Sequence, residues 1–443
     1  MSAPLWSLLP LSIAAIGCGP SHRELEPWDW TSDRGADADG DVPGVDAPSE
    51  AVDAADGTHA TFVYPPLEPA EEWCTDPGVE AASPGLFVHG GLLFAFHNGR
   101  VASPGPGDSG RRLMLRTADV RAPSFDPAVP LAVDGYPVDL LAFGDDLWVV
   151  TAGPMISTFL LHTTDHGAVW SVEEVFAGGS DSGVCTYNVP SVFVRPAEAS
   201  RRLVLGFDND SHIFGCSAQA RWTFLDGGVW AEPGRIADGA PAGAFVTPAG
   251  IVVATTGGVV LSTDGGATFA PIPGGDTTST RVVGERLAMT ADGTLFLVQS
   301  YGYALRQVVA LVISRDGGAT WPERIVLADE AEADAYFFGP TVAAARTDVI
   351  VAWRRGDPRD ILGSYHRCSA WATESPDDGA SWSIPASFEA TSSDENVWSV
   401  AAATDGNGEA GARSFVAYAV TGENPTWQPR RVCVVRLTFA LAP

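Results

Sequence analysis

Two stretches hold the side chains best suited to chemistry. Arg354-Arg355-Gly356-Asp357 leads through Asp360 to Tyr365-His366-Arg367, and Tyr301-Gly302-Tyr303 runs on to Arg306. A guanidinium group is a planar fork that grips a carboxylate through two parallel hydrogen bonds, so arginines grouped in polar loops suit an acidic ligand. Further polar groups stand where other loops enter strands: Asp181, Tyr187, Asp334, Tyr336, Asp394, Glu395 and Trp398. Trp398 and Trp427 could line a sugar site by stacking. The carboxylate pairs Asp208/Asp210 and Asp357/Asp360 would suit a glycosidase or a metal, but loops this polar produce such pairs by chance. There is no CxxC or Cys/His cluster, so no metal and no cofactor is expected.

These loops must be positioned by a repeated element. Ser314-Arg315-Asp316-Gly317-Gly318-Ala319-Thr320-Trp321 has near-copies at Ser262–Phe269, around Asp264, and at Ser375–Trp382, around Asp377. A fourth copy, Thr163–Trp170, keeps the hydroxyl, Asp165, Gly167 and the aromatic residue. A more worn copy is Phe224-Leu225-Asp226-Gly227-Gly228-Val229-Trp230. In the pattern Ser/Thr-x-Asp-x-Gly-x-Thr-Trp, Asp and hydroxyl side chains can bond backbone N–H groups and hold a tight turn. Glycine takes backbone angles that a side chain forbids. Apolar runs such as Val308–Ile313 lead into the turns and read as strands.

The pattern resembles the Asp-box, or bacterial neuraminidase repeat, of sialidase-like β-propellers. The resemblance implies an all-β propeller in which the boxes are structural and the ligand lies on the opposite face. It also implies what a sialidase would need: three arginines on the substrate carboxylate, a Tyr nucleophile activated by Glu, and an Asp acid/base. Arg306, Arg354, Arg355 and Arg367 are the candidates for a clamp. Tyr301, Tyr303, Tyr336 and Tyr365 are the candidates for the nucleophile. The family's early Arg-Ile-Pro motif is missing, since Trp73–Phe87 contains no Arg. No catalytic set carries over residue by residue.

Seven apolar hairpins can be counted, near Leu86–Phe96, Val138–Thr151, Val192–Gly206, Ala244–Ala254, Arg281–Val298, Thr341–Trp353 and Val397–Val420. Seven blades are therefore expected over residues 60–443, with the six blades of sialidases as the alternative. The seventh blade lacks a fourth strand, and Thr61–Tyr64 is the expected closing strand, because an open ring would leave two sheet edges exposed. On this scheme Cys185 pairs with Cys216 and Cys74 with Cys433, leaving Cys368 as a thiol.

The N-terminal Leu5–Ile16 run is too short to span a membrane stably and reads as an export signal. Ala15-Ile16-Gly17-Cys18 resembles a bacterial lipobox, which implies that residues 1–18 are a lipoprotein signal ending at Cys18, with cleavage before the Cys and a lipid on it. Plain secretion is the alternative, and Gly19 after the Cys leans towards the outer membrane. Residues 19–59 are rich in Asp, Ala, Gly and Pro and are expected to form a disordered tether extended by self-repulsion. The chain of 443 residues has a net charge of −29, which argues against attraction to nucleic acid or an anionic membrane surface. Contact with the membrane would run through the lipid on Cys18 alone, and the protein is expected to be a monomer. The leading expectation is an envelope-anchored or exported propeller that binds a glycan or an envelope protein without catalysis. A divergent exo-α-sialidase or other glycoside hydrolase is the alternative, and an assembly-factor propeller a second one.

Overall fold

The structure, a computed structural model, describes residues 58–75, 82–101, 110–121, 124–143, 146–152, 158–176, 187–195, 202–208, 219–226, 229–231, 234–272, 286–303, 306–331, 335–356, 368–388, 395–406, 414–422 and 429–439. The export signal, Cys18, the tether up to residue 57 and the Cys185–Cys216 pair lie outside them. Every regular element among the described residues is a strand.

The strands form a seven-bladed β-propeller. The innermost strands are Ala82–His89, Tyr136–Phe143, Tyr187–Arg195, Pro241–Thr247, Arg286–Met289, Tyr336–Ala345 and Glu395–Thr404. Each lies against the next, and the seventh lies against the first, so the ring is closed. Blades three and four are also joined by parallel pairing of Val194 with Ala244 and Arg195 with Phe245. From each innermost strand the chain passes outward through antiparallel neighbours.

The apolar runs follow from burial on both faces of a blade. In the second strand of blade six, Asp348–Gly356, alternate residues serve different cores. Val349, Val351 and Trp353 pack towards blade five, with Phe296, Leu311 and Ile313. Ile350 and Ala352 pack towards blade seven, with Val416, Tyr418 and Leu437.

Ring closure differs from expectation in the strand used. Leu67–Cys74 is the outermost strand of blade seven, antiparallel to Pro429–Phe439. The expected Phe62–Tyr64 segment instead runs parallel to Trp382–Ser383 of blade six. Just ahead of the expected domain boundary, Thr58–His59 runs parallel to the outermost strand of blade five. The physical reason lies at the edge. An outermost strand is mostly solvated, so its sequence, Leu-Glu-Pro-Ala-Glu-Glu-Trp-Cys, carries charges and a proline and not an apolar run. Closure is fastened by the Cys74–Cys433 disulfide, which spans 359 residues. Tyr418, buried in blade seven, donates its hydroxyl to Glu72 of the closing strand.

Four of the five predicted turns share one hydrogen-bond scheme. In blade five, Ser314 Oγ donates to Asp316 Oδ1 at 2.8 Å and accepts from Gly318 N at 2.8 Å. Asp316 Oδ1 also accepts Thr320 N at 2.9 Å. The turns at Asp264 and Asp377 repeat these bonds, and the one at Asp165 keeps the equivalent three. The Thr268 hydroxyl and backbone N–H, with the Ser262 hydroxyl, hold Asp264 well below the usual carboxylate range. At the worn copy, Asp226 ends a strand and its backbone pairs with Val229. In all four closed turns the pattern glycine has positive φ, and each faces the preceding blade: Gly167 meets Phe94, Gly266 meets Trp222, Gly318 meets Val252 and Gly379 meets Phe296. The turns therefore bolt neighbouring blades together.

Two outcomes follow from this architecture. Removing residues 1–57 should leave the melting temperature nearly unchanged, whereas removal through Cys74 should lower it sharply by opening blade seven. Equal melting temperatures for the two truncations would refute this closure. Separately, Ser314→Ala should cost about 1–3 kcal/mol in urea unfolding, because the buried Gly318 N–H loses its acceptor. Gly318→Ala should cost more, since its Cβ would stand 2.4 Å from Val252 at a φ of +95°.

Candidate functional site

The two ends of the ring are built differently. The Ser/Thr-x-Asp turns follow the third strands and crowd one end. At the other end innermost strands begin and second strands finish. Here six of the seven innermost strands break register: near Gly85, Asp139, Val192, Gly243, Thr341 and Ser399. Pro84, Pro137, Pro190, Pro241 and Pro340 stand at or beside five of these breaks. A proline cannot donate to a ladder, and a bulge is where a strand tolerates that loss and re-aims its side chains. The repeated bulge turns this end of the ring into an irregular mouth.

The mouth opens on an axial cavity of about 680 Å³. Its wall is mainly apolar, with Leu86, Leu140, Leu287, Val342, Val400 and Ala402 among the lining residues. Asp139 and Arg286 add charge to it, and Asp139 is buried. Neither stood out in the sequence. The signal for Asp139 was an acid within the otherwise apolar Tyr136–Phe143 run, where a wholly apolar wall would have no use for it.

The predicted site residues separate in space. Arg354 and Arg355 belong to a strand and not to a loop, so the pleat sends them to opposite faces of blade six. Arg355 faces blade five. It grips Glu330 with Nε at 2.9 Å and Nη2 in a second bond of 2.6 Å, and its guanidinium lies 5.5 Å from the Trp371 ring centroid. Arg355 thus bridges blades five and six, apart from the loops in which a clamp was expected. Arg354 turns the other way. Its Nη2 lies 3.5 Å from where a Cβ on Gly339 would stand, and Gly339 has a φ of +51° within the bulge of blade six. Burial lowers the Arg354 pKa, an effect the nearby Cys368 opposes, yet a guanidinium remains charged at neutral pH.

Tyr336 opens the innermost strand of blade six and is half-buried. Trp398 is the bulged residue of the adjoining innermost strand, with 36% of its surface exposed. Arg306 begins the third strand of blade five, its backbone opposite Tyr303 and Ala331. Tyr365, Arg367, Asp357, Asp360, Asp210 and Trp427 lie outside the described residues. The described residues thus bring Tyr336, Arg354 and Trp398 to the mouth on blades six and seven. Among the described residues one group of three metal-type ligand atoms comes together, from Glu72, Cys74 and Cys433. Its two sulfurs are tied up in the closing disulfide, so it cannot serve as a metal centre.

Comparison with known families and with curated proteins gives no match. Solved structures do resemble the fold. Phage phi92 endosialidase aligns over 85% of this chain and 69% of its own, at 8% identity and a TM-score of 0.44. The intramolecular trans-sialidase from Ruminococcus gnavus aligns over 82% of this chain and 96% of its own, at 11% identity and 0.38. Trypanosoma rangeli sialidase, in complex with 2,3-difluorosialic acid, aligns over 82% of this chain at 11% identity and 0.36. The alignment spans only 54% of that enzyme's chain. At such identities the likeness is one of fold, and the seven-blade assignment rests on this chain's own strand pairing.

Proposed function

We propose that this propeller is a glycan-binding module of the bacterial cell envelope, exported and held there by a lipid on Cys18, with no catalysis of its own. The observation that carries the reading is the mouth at the bulged end. There the half-buried, charged Arg354 lies against the innermost strand of blade six, close to the elements that carry Tyr336 and the exposed Trp398. An aromatic plane beside a guanidinium suits an acidic sugar, which offers a ring face for stacking and a carboxylate for the fork. The four closed turns, which resemble Asp-boxes in bonding as well as sequence, support a structural role for Asp165, Asp264, Asp316 and Asp377 at the far end. A three-arginine clamp is disfavoured because the adjacent Arg354 and Arg355 are split by the pleat, with Arg355 committed to Glu330.

The reading is tested on a glycan array with the exported domain. Binding to acidic glycans should fall at least tenfold in Arg354→Ala and in Trp398→Ala. Arg355→Ala should keep the binding and lose only stability. Hydrolysis of a sialoside by the wild type, lost in Arg354→Ala, would favour the hydrolase instead. Absence of any glycan signal together with capture of an envelope protein would favour a protein-binding role. For the anchor, labelled fatty acid should enter the wild type and not Cys18→Ala, and equal labelling of both would end that part of the proposal.

A further inference from the structure

The proposed function uses the mouth and leaves the depth of the axial cavity behind it without a role. The cavity measures about 680 Å³. Proteins hold small molecules in spaces of roughly 300–1,000 Å³, mostly apolar with a few polar groups, so this one has the size and wall of such a site.

The wall changes character with depth. Each innermost strand starts at the mouth, so residues later in the strand lie deeper. At the upper level stand Arg286, the first residue of its strand, and Asp139 and Gly339 at their bulges. Deeper come Leu140 and Val400, and then Val88 and Met289 near the ends of their strands. These four side chains belong to four different blades, and all of them remain half-buried in the folded chain. Apolar surface left facing open space forgoes the free energy of burial. A channel that only held water would be served as well by serine or threonine at these positions.

The two levels are continuous. Gly339, in the cavity wall, is the residue against which Arg354 Nη2 lies, 3.5 Å from where a Cβ would stand. Val400, in the same wall, follows Trp398 by two residues on the innermost strand of blade seven. A ligand held at Arg354 and Trp398 therefore has an apolar space beneath it.

We propose that the axial cavity receives the apolar aglycone of an acidic glycoside whose sugar is held at the mouth. The ligand class is then an amphipathic glycoside, with its acidic sugar at the rim and an aryl or acyl group inside. This rests on the reading of the mouth as an acidic-sugar site. Arg354 takes the carboxylate, Trp398 the ring face, and Asp139 can accept from sugar hydroxyls at the level where the polar wall ends. Burial of the aglycone supplies affinity that the bare sugar lacks.

The test is calorimetric titration of the exported domain with para-nitrophenyl glucuronide and with glucuronic acid, an aryl glycoside and its bare acidic sugar. The aryl glycoside should bind roughly tenfold tighter or better. Met289→Trp and Val88→Trp fill the cavity from its deep end, away from Arg354 and Trp398. Each should bring the two dissociation constants together and leave that of glucuronic acid unchanged. Equal constants in the wild type would overturn the proposal, as would an aryl preference that survives both substitutions. Should both variants fail to fold, Leu140→Gln, which makes the wall polar at nearly constant volume, decides by the same comparison. A sugar-free arm separates this proposal from the reading of the mouth. The fluorescence of anilinonaphthalene sulfonate should rise on binding the wild type and not Met289→Trp. That result with no binding of either glucuronide supports the apolar cavity and counts against the sugar site. No fluorescence rise in the wild type overturns the cavity, whatever the mouth binds.

Discussion

The constraint on which the rest depends is the contact between each closed turn and the blade before it. A left-handed glycine sits where the neighbour's core side chain already is: Phe94, Trp222, Val252 or Phe296. A Cβ there would stand 2.4 Å from Val252, 2.8 Å from Trp222, 2.9 Å from Phe296 or 3.3 Å from Phe94, and the turn's own hydroxyl and carboxylate hold the backbone in that shape. Blade spacing is therefore set by backbone against side chain at one end of the ring. The bonds reach across blades too, as when Thr247 donates to Gly317 O at 2.6 Å and Arg315 to Asp378 at 2.7 Å. With one end fixed so tightly, the other is free to be irregular, and its bulged strands make use of that freedom.

Closure is the second requirement. A propeller has no end-to-end symmetry of sequence, so one blade must be completed from the other terminus. Here a polar strand does this, because the position is at the rim and needs hydrogen bonds more than it needs hydrophobicity. The disulfide and the Tyr418–Glu72 bond compensate for the small apolar area that such a strand buries. The apolar Phe62–Val63 segment, which looks the better strand, lies largely exposed along blade six.

The arrangement of arginines shows how one physical rule reshapes a functional reading. In a loop, neighbouring guanidinium groups can converge. In a strand they diverge. The second strand of blade six runs on to Gly356, so Arg355 is drawn into a blade interface by Glu330 and Trp371 while Arg354 turns towards the bulge. The boundary of a strand, two residues either way, decides whether such a pair is a clamp or a strut and a binding group.

The sequence by itself determined the architecture. Period-two apolar runs specify strands buried on both faces. The Ser/Thr-x-Asp-x-Gly turns punctuate them, and counting hairpins yields seven blades. Local hydrogen bonding and steric need are written in consecutive residues, so these features can be read in one dimension. The cysteine pair closing blade seven was also legible, since the scheme set Cys74 beside Cys433. Only the tertiary structure decided which N-terminal segment closes the ring, because an edge strand carries no hydrophobic signature. Only it set Arg354 and Arg355 on opposite faces of blade six, since that depends on where a strand ends. And only it buried Asp348, Glu374 and Ser414 between blades six and seven. They are spread over two blades, and burial there belongs to the packing of blade on blade and not to any one stretch of chain.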